Sequence, residues 1–351
     1  MANLSIRALA EALGISKSTV SLALRNHPNI ALATRERVQA AAKTMGYQLN
    51  PLVAALMSQQ RRGKPAESAP LIVFIDYYWA PDVPRHPSLD VPVAKEAREQ
   101  LQRTADLMKL AAAEHGYKLD YLKARDPGMT PARLADIVKS RGARGVIFLR
   151  VDEETSDIWR NDWSECCVVE LGGGMGSLFH QVRVNQLATG RRLMTKLWER
   201  GYRRPGLALA AGNDRGRIWR LPFVEYYLGK PPEEQVQSLF GIKWTKPEFL
   251  GWWQKAKPDV IVSSDLAPLQ WLREEGIRVP EEVGFACYDL LKRQIGTAAG
   301  MDIRQDHRVA AAVAMLDGLL RRNERGRPEV PFSMTVEGAW RDGPTVRALQ
   351  P

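Results

Sequence analysis

Apolar residues at helical spacing form three short runs at the start of the chain. The first run follows Ser5, a residue type that caps helices, and ends before Gly14, which suits the left-handed residue just past a helix end. The second run follows Ser16, again a capping residue, and the third spans residues 32–45. Because only Gly14 and Ile15 separate the first two runs, the pattern predicts a helix-turn-helix.

The outward positions of the second predicted helix are small, polar or basic. They are Lys17, Ser18, Thr19, Ser21 and Leu22, and none of them is acidic. Such a face can enter the major groove of DNA without repelling phosphate. A solvated helical hairpin has the same pattern of outward positions, so both interpretations are open at this point.

A fourth short helix is predicted over residues 50–57, where Asn50 can cap and Pro51 suits the first turn. The segment is almost wholly apolar, and a polar linker follows it up to Pro70. A helix of this length is not stable alone in water. It therefore needs a partner, which is a second copy of itself, DNA or both; the alternative is docking on the large domain.

After Pro70 the pattern changes to continuous apolar strands that alternate with helices. The predicted strands are 71–75, 117–122, 145–149, 166–171, 206–210, 259–262 and 283–287, and the predicted helices are 93–114, 131–140, 186–200, 266–275 and 308–322. Such strands predict parallel sheets that are covered on both faces. About 280 residues exceed one doubly wound unit, so we expect two lobes.

The distribution of charge along the chain suggests a function for the amino-terminal region. The 351 residues carry a formal net charge of +10. Nine basic against two acidic residues give +7 within residues 1–64, which leaves +3 for the remaining 287 residues. A small nucleic-acid-binding domain has this concentrated positive charge, although an ordinary solvated basic face has it too.

Other signals exclude several classes of protein. No apolar run reaches the roughly 18 residues of a membrane helix, and no secretory signal is recognisable at the start. Three cysteines give no disulfide framework, and the adjacent Cys166 and Cys167 lie in a predicted buried strand, which indicates that they belong to the core. We therefore expect a cytoplasmic protein that does not contact a membrane.

No motif predicts a cofactor, a metal or a catalytic residue. The glycines of residues 171–176 lack the GxGxxG spacing and a Walker lysine, and they read as a turn between lobes. The five histidines are scattered without zinc-ligand spacing, and no GxSxG elbow is present. Asp265 and Asp289 leave a paired-carboxylate enzyme open as an alternative.

Leu4 to Met57 resembles the DNA-binding headpiece of LacI/GalR-type bacterial transcription regulators. The matching stretches are Ile6–Ala10, Leu13–Ser16, Ser18–Ser21, Thr34–Val38, Met45–Tyr47 and Asn50–Pro51. The rest of the chain is similar to the family's effector domain, which has the two-lobed fold of periplasmic sugar-binding proteins. Its matching stretches are 198–204, 258–262, 276–283, 288–289 and 303–306.

The resemblance implies three parts. Residues 1–49 would form an all-α helix-turn-helix headpiece, and residues 50–70 a hinge helix and linker. Residues 71–351 would form a two-lobed α/β domain, like a periplasmic binding protein, for effector binding and dimerisation.

The resemblance also assigns DNA contacts. Lys17, Ser18 and Leu22 would face base edges. Phosphates would be held by Ser5, Ser16, Thr19, Ser21, Arg25, Asn26 and Thr34. Leu22 stands where the family commonly has arginine, and leucine offers only an apolar contact, for instance to a thymine methyl group, so we expect a different base pair there. Asn50 would begin the hinge helix, and Leu56 would wedge into the minor groove and kink the duplex.

Five residues are implied for effector binding, at strand ends that face a cleft. They are Arg220, Ser264, Asp265, Asp289 and Gln305. Ser264 replaces the usual asparagine, and Leu290 replaces the usual second aspartate. Tryptophans are candidates for a sugar platform, although the core is the more usual place for them. They are Trp79, Trp219, Trp244, Trp252 and Trp253.

We therefore expect a homodimeric, sequence-specific transcriptional regulator, a repressor, that is controlled by a small carbohydrate effector and has no enzymatic activity. The symmetry of a dimer predicts a near-palindromic DNA operator. The alternatives are a sugar-binding receptor-like protein and an enzyme that uses the cleft, both without a regulatory role on DNA.

Overall fold

The computed structural model describes residues 6–24, 29–45, 47, 69–76, 91–124, 126–149, 161–172, 177–210, 218–241, 244–264 and 266–349, with the backbone alone for 91–98, 210 and 241. The described part of the first 47 residues forms three helices, α1 (Ile6–Leu13), α2 (Lys17–Leu24) and α3 (Leu32–Thr44). Leu9, Val20 and Val38 are fully buried in one cluster, so each helix contributes to a common core.

The turn between α1 and α2 follows the sequence prediction. Gly14 has φ +64°, a conformation that glycine adopts without steric cost, and the Ile15 N–H bonds the Ala10 carbonyl at 3.1 Å. Ser16 Oγ accepts the Thr19 N–H at 3.0 Å, which confirms Ser16 as the cap of α2. Ser5, the predicted cap of α1, lies outside the described residues.

The described residues from 69 onward form two six-stranded sheets. The strands are β1 (Leu71–Asp76), β2 (Lys118–Lys123), β3 (Gly145–Leu149), β4 (Cys167–Leu171), β5 (His180–Val184), β6 (Pro205–Ala210), β7 (Leu239–Gly241), β8 (Val260–Ser263), β9 (Gly284–Cys287), β10 (Ala299–Asp302), β11 (Ser333–Val336) and β12 (Ala339–Arg341). The first sheet has the order β11-β5-β4-β3-β1-β2 and the second the order β12-β10-β9-β8-β6-β7. Every pairing within them is parallel except β10 with β12.

Helices cover both faces of each sheet. They are α4 (Val91–Glu114), α5 (Pro131–Ser140), α6 (Gln186–Glu199), α7 (Leu221–Tyr227), α8 (Lys246–Ala256), α9 (Ala267–Glu274) and α10 (Gln305–Arg322). Met108 of α4 and Leu316 of α10 share one core on the first sheet, and Leu134 of α5 lies in the core on its other face. On the second sheet, α6 and α7 pack on one face and α8 and α9 on the other.

The two sheets define two lobes, and the chain passes between them at three points among the described elements. These points lie between β5 and α6, between β10 and α10, and between β11 and β12. The predicted two-lobed α/β architecture with largely parallel sheets is thereby confirmed. The proposed boundaries at 49 and 70 remain predictions, because residues 48–68 lie outside the described part of the chain.

Among the strands and α-helices of the described residues, the sequence pattern missed seven, which are β5, β7, β10, β11, β12, α7 and α8. Three of these strands, β7, β11 and β12, lie at sheet edges. An edge strand is short and partly exposed, so it lacks the continuous apolar run by which the central strands were recognised. Helix α10 begins at Gln305, three residues before its predicted start at 308.

Candidate functional site

The amino-terminal turn of α2 carries a cluster of three hydroxyl groups. Ser16 Oγ lies 2.7 Å from Ser18 Oγ and 2.8 Å from Thr19 Oγ1. A helix N-terminus presents partial positive charge and N–H donors, which suit an anion such as phosphate. Lys17 is exposed in the same turn and adds a full positive charge.

The two sides of α2 differ in burial. Val20 and Ala23 are fully buried against α1 and α3. Lys17 and Ser18 are exposed, and Ser21 and Leu22 are half-buried. Contact of this helix with DNA would cover all four side chains further. The structure therefore places the predicted base-reading and phosphate-holding residues of α2 on one helix whose opposite side holds the fold together.

Of the other predicted DNA-contact residues, the structure describes only Thr34. Thr34 is half-buried in the first turn of α3, where its N–H bonds the Ala31 carbonyl at 3.0 Å. Ser5, Arg25, Asn26, Asn50 and Leu56 lie outside the described residues, and their DNA contacts remain predictions.

Arg220 immediately precedes α7 and lies against the edge strand β7. Its guanidinium carbon is 4.0 Å from the centre of the Phe240 ring, a cation–π contact. Both residues line a groove of about 410 Å³ between α7 and β7, which is otherwise mostly apolar. A groove of this volume falls within the size range of small-molecule sites.

Ser264 and Asp289 follow neighbouring parallel strands. Ser264 comes directly after β8, and Asp289 lies two residues after β9. Ser263 and Cys287 are register partners, so both predicted residues lie at the carboxyl edge of the second sheet, and both are half-buried. This edge is where open α/β sheets bind ligands. Asp265 lies outside the described residues.

Gln305 lies where the chain passes from β10 to α10, and its amide is engaged within the first lobe. Its Nε2 donates to Thr104 Oγ1 at 3.2 Å, and its Oε1 accepts a hydrogen bond from Arg308. Thr104 on α4 is almost fully buried. In this structure the side chain of Gln305 joins α10 to α4, so a contact with an effector would require these bonds to be exchanged.

Two of the tryptophans proposed as a sugar platform are buried in the protein interior. Trp219 and Trp244 are buried, with Trp219 4.5 Å from the Tyr288 ring and Trp244 between Phe249 and Trp271. Trp252 and Trp253 of α8 are half-buried and pack against the core on that face of the sheet, whereas Trp79 lies outside the described residues. The core interpretation therefore holds for Trp219 and Trp244, and neither offers an open ring face to a sugar here.

Cys166 and Cys167 are both buried. Burial raises the pKa of Cys166 to about 11 and that of Cys167 to about 12, so both thiols stay protonated near neutral pH and act as core. Within the described part of the chain, no three His, Cys, Asp or Glu side chains are grouped so that they could hold a metal ion. Among the same residues, no helix is both long and apolar enough to cross a membrane.

One pair of charged residues was not singled out from the sequence. Glu99 of α4 and Arg293, in the 292–294 turn between β9 and β10, form an ion pair with 2.5 Å between Oε2 and Nη1. The two residues lie 194 positions apart and belong to different lobes. No local pattern links them, so only the tertiary fold could have shown the contact.

The amino-terminal part of this structure is similar in sequence to known regulators. Residues 5–50 match the family model for bacterial regulatory proteins of the lacI family. The HTH-type transcriptional regulator RafR of Escherichia coli is 33% identical over 121 residues, which is 34% of this chain and 33% of that protein. The match thus spans about a third of the relative's length.

Solved structures match nearly the whole chain in fold. The transcriptional regulator CelR in complex with cellobiose superposes with a TM-score of 0.57 at 17% identity, covering 97% of this chain and 99% of that one. The lac repressor dimer bound to operator and the anti-inducer ONPF gives 0.57 at 15% identity, with 98% and 99% covered. The regulator CcpA of Lactococcus lactis gives 0.58 at 12% identity over 80% of this chain and all of that one.

Proposed function

We propose that this chain is a sequence-specific DNA-binding transcriptional regulator, a repressor, whose activity is controlled by a small carbohydrate. The match of residues 5–50 to the family model for bacterial regulatory proteins of the lacI family supports this proposal. The observation that carries the proposal is the face of α2. Its capped N-terminus, exposed lysine and lack of acidic residues suit entry into the major groove of an operator.

The DNA partner is proposed to be a near-palindromic operator that is read by a homodimer. The lac repressor of similar fold was solved as an operator-bound dimer, which supports this assembly by analogy. Lys17, Ser18 and Leu22 would contact bases, and the hydroxyl cluster at Ser16 would bind phosphate. A regulator that works on DNA acts in the cytoplasm, which is the location we propose.

The carbohydrate effector is proposed to bind at the carboxyl edge of the second sheet. Ser264 and Asp289 supply hydroxyl and carboxylate groups there, and Arg220 lies beside the edge strand. Two proteins of similar fold were solved with cellobiose and with ONPF bound, which supports a sugar-like ligand. Asp265 and Gln305 complete the proposed set. We propose that the site binds its ligand without chemical change, as expected of a regulator.

The operator is tested by selection of duplexes from a random pool with the full-length protein. We expect enrichment of a sequence with a two-fold repeat. Lys17→Ala should weaken binding to the selected duplex at least ten-fold, whereas Lys43→Ala, an exposed lysine of α3 outside the proposed interface, should change it by less than two-fold. Failure to enrich any repeated sequence would refute the proposal of a DNA-binding regulator.

The effector is tested separately by a thermal-shift screen of mono- and disaccharides. A sugar that raises the melting temperature of the native protein should lose this effect in Asp289→Asn and keep it in Asp106→Asn, an exposed aspartate of α4. If a stabilising sugar is consumed during prolonged incubation, the cleft enzyme replaces the regulator as the better description of this site.

A further inference from the structure

Among the described residues, the ion pair between Glu99 and Arg293 differs from the other surface ion pairs in where its partners are anchored. Helix α4 belongs to the first lobe, because Met108 and Ala112 pack it against the core of the first sheet. The turn that carries Arg293 belongs to the second lobe, where Ala298 joins the core of the second sheet. Neither charged residue lies in a segment that passes between the lobes.

From this placement we infer that Glu99 and Arg293 form an electrostatic latch between the lobes. The latch favours the lobe arrangement of this structure over arrangements in which α4 and the 292–294 turn lie further apart. The latch is independent of the proposed function, because it joins two lobes of the same chain in the absence of DNA and ligand.

The partners are well exposed, with 40% of the Arg293 side chain and 51% of the Glu99 side chain accessible. Exposed pairs contribute little to overall folding. An interaction that is present in one lobe arrangement and broken in the other nevertheless contributes its whole free energy to the difference between them. It therefore changes the ratio of their populations. We expect loss of this pair to change the ratio about two- to five-fold.

Salt provides a second signature of the latch. Exposed charges are screened over about 8 Å at physiological ionic strength and over about 3 Å at 1 M salt. A difference between the native protein and a variant that lacks one charge should therefore be largest at low salt. It should disappear at 1 M salt, whereas a difference due to altered packing should persist.

A matched control is available within one lobe. Arg191 of α6 and Glu225 of α7 form an ion pair with 2.6 Å between Nη2 and Oε1, and its exposure is similar to that of the latch. Both helices pack on the second sheet. Removing this pair changes the surface charge to the same extent without affecting a contact between lobes.

The test measures the distance between lobes by pulsed electron spin resonance on the full chain without DNA or ligand. Spin labels are attached through Ser140→Cys in α5 and Gln254→Cys in α8, both exposed, while the native cysteines are buried. At low salt, Glu99→Gln and Arg293→Gln should each increase the more separated population two- to five-fold. The charge-exchanged variant Glu99→Arg/Arg293→Glu should return the distribution toward that of the native protein, and Glu225→Gln should leave it unchanged.

Native-like distance distributions in both single variants at low salt would overturn the latch. A change that persists at 1 M salt, or that Glu225→Gln reproduces, would also overturn it, because the cause would then be packing or overall charge. Failure of the charge-exchanged variant to restore the distribution would show that the two side chains do not act on each other.

Discussion

Substitution of Ser16 separates two roles of one hydroxyl group, that of helix cap and that of phosphate ligand. Ser16→Ala removes the acceptor of the 3.0 Å bond from the Thr19 N–H at the start of α2. Loss of such a cap costs about 1 kcal/mol, within a range of about 0.5–2 kcal/mol. Ser16→Asp keeps a capping oxygen and places a favourable charge at the helix N-terminus, so we expect it to preserve the stability of α2.

Ser16→Asp and Ser16→Ala should both weaken DNA binding, but for different physical reasons. A carboxylate about 6 Å from a phosphate is repelled by about 0.7 kcal/mol in water and by about 3 kcal/mol at an effective dielectric constant of about 20. Ser16→Asp should therefore bind operator about 3- to 100-fold more weakly although α2 remains stable. Ser16→Ala should bind more weakly because it loses both the cap and a hydrogen bond to a charged group.

Fluorescence anisotropy with the duplex selected from a random pool measures binding, and hydrogen exchange of the α2 amides measures the stability of the helix. In the hydrogen-exchange measurement Ser18→Ala is a useful comparison, because Ser18 is exposed in the same turn and does not accept the capping bond. If Ser16→Asp binds the duplex within two-fold of the native protein while α2 keeps its protection, the hydroxyl of Ser16 does not face phosphate and our orientation of α2 on DNA is wrong.

Three further predictions concern charge, pH and packing. The logarithm of operator affinity falls linearly with the logarithm of salt concentration, and each phosphate contact contributes about 0.9 to the slope. If Lys17 contacts a phosphate as well as a base, Lys17→Ala should reduce this slope by about 0.9 per headpiece. An unchanged slope would restrict Lys17 to base contacts. Burial raises the pKa of the Asp317 carboxyl, but hydrogen bonds from Arg321 and Tyr117 outweigh this and hold the pKa below its usual value. The stabilisation from Asp317 is therefore complete above about pH 4 and is lost as the pH falls through the lowered pKa. Asp317→Asn should lower the free energy of urea unfolding at pH 7 by about 1–3 kcal/mol and should make stability depend less on pH in the acid range. An unaltered dependence on pH in the acid range would contradict this prediction. Gly190→Ala should destabilise the protein by about 1–3 kcal/mol, since the new Cβ would lie 2.4 Å from a proline ring of α7, whereas Gly251→Ala, which meets nothing within 4 Å, should be neutral or slightly stabilising; equal melting temperatures for the two variants would refute the packing of α6 on α7.

The helix-turn-helix could be predicted from sequence because its signals are local. A capping serine, a glycine in the left-handed conformation and an apolar stripe act within a few residues of one another, and the structure shows the first two where the sequence predicted them. The central strands were predictable for a related reason. A strand buried on both faces must be continuously apolar, which distinguishes β1, β3 and β8 from their surroundings.

The candidate ligand site was predictable only in part. The positions of Ser264 and Asp289 after neighbouring strands follow from the order of strands and helices along the chain. The hydrogen bond between Gln305 and Thr104 does not follow from that order, because α4 and α10 are about 200 residues apart in sequence and meet only in the folded lobe. The stacking of Arg220 on Phe240 likewise depends on the edge strand β7, which carries no clear sequence pattern.

The sequence by itself determined the helix-turn-helix, the positive charge concentrated around it and the alternation of strands and helices in the larger domain. These features arise from capping, from backbone conformation and from the burial of short apolar runs, all of which depend on neighbouring residues. The tertiary structure decided which distant residues meet, including Glu99 with Arg293 and Gln305 with Thr104. Contacts of this kind depend on how two lobes and their connecting segments pack, and the spacing of residues along the chain does not encode them.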